Sequence, residues 1–431
     1  MQKSLAFCLA FGFLACGTTA VTGPEDAGTT AVDATVASAD ALPSADATPA
    51  EDATAAPDAQ AVEDAQAAAD AGPVEDAQAA PDAGVDAGAE PDASAVPDAS
   101  TASDAGGIAD ANATVDAGGT SDAGPALNLR TCPTTGRGGI RPLGTCFVVS
   151  PAETGANPAG DNATTDHYVL EPVSNPRGTL IVELNGSLGS PAGQVADPDR
   201  NFYNAVADAG FHVIGLAYRS TLVVGQVCSN QPSCFAPTRQ TLVTGVLAAG
   251  APRTLNNIRV DEGIVTRLDL ALRTLIAFRP GQGWEQFIAH PDRTAAAERI
   301  DWSRIMMSGH SQGGGHAAYL GKLFPVARVV QLSSTCDEVM GTPAPWTAAS
   351  GTWATVPATA YVGFSAPTTF TGGRPSSGDT ICGYHAAVWQ NMGLSAQNQH
   401  DDAAGCGAQN THGASIGCVD NYPRWAGLFI P

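Results

Sequence analysis

The chain has 431 residues, with 43 acidic and 20 basic side chains and a formal net charge of −23. The first 125 residues hold 22 of the acids and one base, Lys3, which leaves residues 126–431 near neutral with 21 acids and 19 bases. That distribution excludes a basic nucleic-acid footprint, and the excess charge says nothing about what the C-terminal part binds.

Taken from the start, Lys3 precedes an apolar run of about ten residues, 5–14, too short to span a bilayer. The run leads into Phe13-Leu14-Ala15-Cys16-Gly17. This resembles a bacterial lipoprotein signal over residues 1–16, in which Cys16 is lipidated and becomes the mature N-terminus. Gly17 after the cysteine resembles the outer-membrane sorting pattern, so the expected location is the outer membrane or cell surface. The alternative is a plain secretory peptide with Cys16 incidental and a freely secreted product. Residues 17–126 consist mainly of Ala, Asp, Pro, Gly, Ser and Thr, with imperfect units such as VEDAQAAADAG and VEDAQAAPDAG. Without aromatic residues or apolar periodicity the segment cannot offset its ordering entropy. It is expected to be a disordered tether with a mean span of roughly 55–60 Å, longer where like charges repel.

Residues 127–431 are expected to form one folded domain. The eight cysteines there, Cys132, Cys146, Cys228, Cys234, Cys336, Cys382, Cys406 and Cys418, lie behind an export signal and so suggest disulfides. Nearest-neighbour pairing gives 132–146, 228–234, 336–382 and 406–418. The rival reading, a zinc site, lacks any CxxC pair. Strand-like runs occur at 145–150, 167–173 and 179–185, and the turn residues between the last two suggest a hairpin. Residues 202–210 suggest a helix ending at Gly210, followed by a strand at 211–218. Apolar residues at helical spacing over 263–278 predict a helix. A short strand at 304–309 and a helix at 314–324 follow, then strands at 326–333 and 358–365 and a helix at 384–394. This alternation predicts an α/β fold with a mostly parallel central sheet and helices on both faces.

Between the strand at 304–309 and its helix stands Gly309-His310-Ser311-Gln312-Gly313, a G-x-S-x-G turn. That context is the nucleophile elbow, where glycines allow strand and helix to approach and the serine takes a strained conformation. A chance match is the alternative. A serine nucleophile needs a base, and the base needs an orienting acid, in the chain order Ser, Asp or Glu, His. Of the histidines that follow, His316 and His385 fall in predicted helices and His400 lies in a polar run. His412 lies in a Gly-rich loop bracketed by Cys406 and Cys418, and is the preferred base. Asp379, after the strand at 358–365, is the preferred acid, with Asp337 after the preceding strand as the alternative. Asp401 and Asp402 are expected to be solvated. The oxyanion hole would use the N–H of Gln312 and a second N–H from 184–191, at Ser187 or Leu188. The segments 219–260 and 338–357, the latter with Trp346 and Trp353, could overhang the site as lids or be ordinary surface loops.

With these motifs, residues 140–431 resemble the α/β-hydrolase superfamily. The run DWSRIMMSGHSQGGGHAAYLGK, with CDEVMGTPAPW after it, is similar to a group of exported bacterial serine hydrolases. The resemblance implies a Ser311, His412 and Asp379 triad, which is a mechanism class and not a substrate. The reading built on it is a surface-tethered serine hydrolase that acts on carboxylic esters through an acyl-enzyme. It implies no metal or organic cofactor, and a monomer that meets small or polymeric ester substrates and touches the membrane only through its lipid. A peptidase or amidase on the same fold, or a non-catalytic surface binding protein, are the alternatives.

Overall fold

In the computed structural model, the described residues are 129–430, except 368, 372–373, 378, 380, 405 and 407–410. The signal, Cys16 and the 17–126 tether lie outside them. Nine strands among the described residues build one sheet. They are β1 (Arg130–Thr131), β2 (Cys146–Val149), β3 (His167–Leu170), β4 (Leu180–Leu184), β5 (His212–Leu216), β6 (Ile305–His310), β7 (Arg328–Leu332), β8 (Tyr361–Phe364) and β9 (Gln399–His400). The order across the sheet is β1-β2-β3-β5-β4-β6-β7-β8-β9. The first three strands pair antiparallel, through to β5, and the remaining pairs are parallel. This is the mostly parallel arrangement expected of an α/β-hydrolase fold.

The expected hairpin between 167–173 and 179–185 does not form. β5 inserts between β3 and β4, pairing antiparallel with one and parallel with the other. Every residue of β3, β4 and β5 is buried. Strands covered on both faces need partners on both edges, and the turn residues at 174–178 serve a crossover instead.

Helices cover both faces. α1 (Phe202–Asp208) starts at Asn201, whose side chain accepts from Asn204 N–H at 3.0 Å. It packs with Trp425 and Phe429 over Ile181, Val213 and Met306. On the other face α3 (Phe235–Thr244), α4 (Ile264–Phe278) and α5 (Gln312–Leu323) cover Val182, Ile214 and Met307. In α4, Ile264, Leu268, Leu272 and Leu275 recur at helical spacing and are all buried. Each such side chain contributes roughly 1.5–3 kcal/mol by leaving water. The short α2 (Val224–Cys228) and α6 (His385–Met392) complete the set used below.

The four disulfides join the expected pairs, Cys132–Cys146, Cys228–Cys234, Cys336–Cys382 and Cys406–Cys418. Leu184 and Gly309 lie opposite each other in register at the carboxyl ends of β4 and β6. The loops leaving those two strands therefore start side by side, in the place where open α/β sheets gather their functional residues.

Candidate active site

β6 ends at His310 and α5 begins at Gln312, so Ser311 alone makes the turn. Its φ of 54° and ψ of −122° fall in the left-handed region that favours glycine. The turn is fixed from both sides: Ser311 N–H donates to Leu332 O at 3.0 Å, and Ser334 Oγ donates to Ser311 O at 2.7 Å. A Cβ on Gly313 would sit 1.9 Å from Leu184 O, so only glycine lets the helix start this close to β4.

The loop after β4 lies directly over the serine. A Cβ on Gly186 would be 3.2 Å from Ser311 Cβ and 3.1 Å from His310 Nδ1. Tyr218 and Ser220, just beyond β5, hold this loop: Tyr218 OH donates to Asn185 O at 2.7 Å, and Ser220 Oγ to Gly189 O at 2.8 Å. Leu188 N–H donates to Ser220 O at 3.0 Å. That engages Leu188, one of the two candidates for the second oxyanion donor, and leaves Ser187, whose side chain meets Gln312, as the other. The Gln312 side chain strengthens the link, its Oε1 accepting from Ser187 Oγ at 3.0 Å and from Val224 N–H at 2.8 Å.

Asp379 and His412 are brought together from different loops. His412 Nδ1 lies 2.9 Å from each Asp379 oxygen, both side chains being buried. Asp379 Oδ1 also accepts from Cys382 N–H at 2.8 Å and Ile381 N–H at 3.2 Å. Burial pushes the Asp379 carboxyl up, but the His412 hydrogen bond and charge and the Cys382 N–H outweigh it and hold it below its ordinary value. The carboxylate is thus ionised at neutral pH and fixes an N–H on Nδ1 of His412.

Asp337, the alternative acid, is committed elsewhere. It is buried and takes Arg239 in a bidentate pair, Nε to Oδ2 at 2.6 Å and Nη2 to Oδ1 at 2.5 Å, and Trp346 Nε1 donates to Oδ2 at 2.8 Å. Arg239 in turn donates from Nη1 to Gln312 O at 3.0 Å, bracing the first turn of α5. The other histidines do other work. His316 is buried edge-on against Tyr218. His385 bonds Cys382 O and reaches Asp401 at 3.3 Å, and His400 lies on the edge strand β9. Asp401 and Asp402 are exposed, as expected, Asp402 pairing with Arg424.

His310 was not legible as a site residue from the sequence, where it is simply the x of G-x-S-x-G. Its Nε2 donates to His412 O at 2.9 Å, and the two rings are 4.8 Å apart. Burial, and then the neighbouring His412, push the His310 imidazole down to about 3, so it stays neutral. It ties the turn that carries Ser311 to the loop that carries His412.

Beside Ser311 is a pocket of about 260 Å³ whose lining includes Ser187, Val223, Val224, Phe235 and Gln312. The 219–260 segment thus overhangs the serine through α2 and α3. The 338–357 segment contributes Glu338, but its tryptophans form no lid. Trp346 is buried on Asp337, and Trp353 is half-buried against Trp346 and Tyr361. Tryptophans whose rings pack on the core cannot swing over a pocket mouth. A larger hollow, about 410 Å³, lies at the amino ends of the parallel strands near Glu171 and His212, away from Ser311.

No family model matches the chain, and no curated protein matches it. Among solved structures the chain is similar to an esterase from the bacterial hormone-sensitive lipase (HSL) family, with 17% identity and a TM-score of 0.23. That match covers 45% of this chain and 45% of the esterase.

Proposed function

We propose that the protein is an exported serine hydrolase that cleaves carboxylic esters. The observation that carries this reading is the buried Asp379–His412 pair, joined through His310 to the turn of a strained serine at a helix N-terminus. Ser311 Oγ attacks the ester carbonyl while His412 Nε2 takes its proton, and Asp379 stabilises the imidazolium that forms. The oxyanion receives the N–H groups of Ser187 and Gln312. His412 then protonates the leaving alkoxide, and water, activated by the same imidazole, releases the acyl group from Ser311. Side chains and backbone supply each step, so the mechanism calls for no metal or organic cofactor. A pocket of about 260 Å³ is small for a binding site and favours short esters.

The four disulfides suit an oxidising, extracytoplasmic compartment. Among the described residues no helix is long and apolar enough to cross a membrane. We propose that a lipid on Cys16 supplies the anchor and the 17–126 segment the reach. The test is direct. The full chain should react with a fluorophosphonate at Ser311. It should hydrolyse p-nitrophenyl esters with a maximum at short acyl length and leave peptide anilides nearly untouched. Failure to label Ser311 would remove the nucleophile from the mechanism, and faster anilide turnover would make it an amidase.

A further inference from the structure

The pocket beside Ser311 carries an unbalanced charge. Arg239 and Asp337 both border it, but they neutralise each other, and all three guanidinium nitrogens are engaged by Asp337 and by Gln312 O. Glu338 stands on the same wall without such a partner. Its Oε2 accepts from Gly341 N–H at 2.5 Å, inside the small hairpin that pairs Glu338–Val339 with Thr342–Pro343. Among the described residues no Lys or Arg forms an ion pair with Glu338. Among the described residues its Oε1 takes no hydrogen bond, and the side chain is only half-buried. Burial pushes the Glu338 carboxyl above its ordinary value, against the lowering effect of the Gly341 N–H, as expected of a carboxylate short of a counter-ion.

We infer that this pocket is a subsite for esters bearing an ammonium group, with the Glu338 carboxylate as its counter-ion. The inference rests on the ester-hydrolase reading and names its substrate class. Val223, Val224, Phe235 and Ile381 line the same pocket and offer apolar surface to the methylene or methyl groups around such a cation. A partly enclosed pocket strengthens the attraction relative to open water, and the same carboxylate repels anionic esters. The small volume sets the scale at a short ester with a compact cationic head.

The experiment compares acetylthiocholine with its uncharged isostere, 3,3-dimethylbutyl thioacetate, on the full chain, reading thiol release. The wild type should favour the cationic ester by about tenfold in kcat/KM at low ionic strength, and the ratio should shrink in 1 M NaCl. Tetramethylammonium should compete with the uncharged ester. In Glu338→Gln, whose amide oxygen still accepts from Gly341 N–H, the ratio should fall to about one and tetramethylammonium should lose potency. A wild-type ratio of one or below, or a preference unchanged in Glu338→Gln, overturns the subsite while leaving the esterase reading intact. Absence of turnover of both esters together with an unlabelled Ser311 overturns both. The wild-type salt and tetramethylammonium measurements need no variant, so they decide the matter even if Glu338→Gln misfolds.

Discussion

Two aspartates, 42 positions apart, show how neighbours decide what a carboxylate does. Asp379 meets an imidazole and two backbone N–H groups, and Asp337 meets a guanidinium and an indole. Replacing each should therefore damage a different property. Asp379→Asn should fold with a near-normal Tm and lose about 10⁴-fold in kcat, because the amide no longer enforces the Nδ1–H tautomer of His412. Asp337→Ala leaves the buried Arg239 uncompensated and should lower stability by about 3–5 kcal/mol, read by denaturant unfolding. If Asp337→Ala removes activity at unchanged stability while Asp379→Asn stays active, the acid has been assigned to the wrong residue.

At the scale of elements, β4 and the loop it launches share a buried carboxyl. Glu183 receives Tyr203 OH at 2.8 Å, and the same hydroxyl lies 3.3 Å from Pro191 O at the far end of the loop over Ser311. Burial pushes the Glu183 carboxyl up to about 8, partly opposed by the Tyr203 hydrogen bond. The folded state thus keeps a proton that the unfolded chain releases near its ordinary value of 4.5. Stability from this group is complete below that value, falls as pH rises, and levels off above about 8. Glu183→Gln, which needs no proton, should match the wild type in Tm near pH 5 and exceed it at pH 8. Equal melting curves at both pH values would mean that the carboxyl ionises freely in the fold. The Cys406–Cys418 bridge acts on the other loop of the site. It closes about a dozen residues around His412, worth roughly 3 kcal/mol in the chain-entropy model. The double Cys→Ser variant should lose kcat strongly with only a modest fall in Tm, since His310 still holds one point of the loop and a 1 Å error can cost about a hundredfold. A normal kcat with a collapsed Tm would make the bridge a general staple. What the sequence revealed follows the same division. The Ser311 turn was legible because its constraint is local: glycines within two residues, a strand before and a helix after. The cysteine pairs were legible for a different reason: joining each cysteine to its neighbour along the chain closes the shortest loops, and the four bridges span 14, 6, 46 and 12 residues. The insertion of β5 between β3 and β4 was not, because two adjacent apolar runs joined by turn residues look alike whether they pair or cross over. Nor were the Arg239–Asp337 pair, the His310 bond to His412 O or the hold of Tyr218 and Ser220 on the loop after β4. Each joins residues about 30 to 100 positions apart and leaves no periodic trace in the sequence.

For the whole molecule, the charge split sets the prediction. Nearly all the net charge sits in the first 125 residues, ahead of a near-neutral domain. If Cys16 is the lipid attachment point, Cys16→Ser should move the protein from the detergent to the aqueous phase in Triton X-114 partition when expressed in a bacterial host. The kcat/KM for a soluble ester should stay the same, because the anchor takes no part in the chemistry. Detergent partition unchanged in the variant would assign the membrane attachment elsewhere. Proteins held on a surface meet one another far more often than proteins free in solution, and the ends of the sheet matter in that setting. β1 and β9, its two outermost strands, are two residues each, and β1 is exposed, begins with Arg130 and is followed directly by the Cys132–Cys146 bridge. A border this short gives an approaching chain almost no ladder to extend. If the Cys16 anchor gathers the chains, lateral crowding would therefore bring these domains together without seeding edge-to-edge polymers.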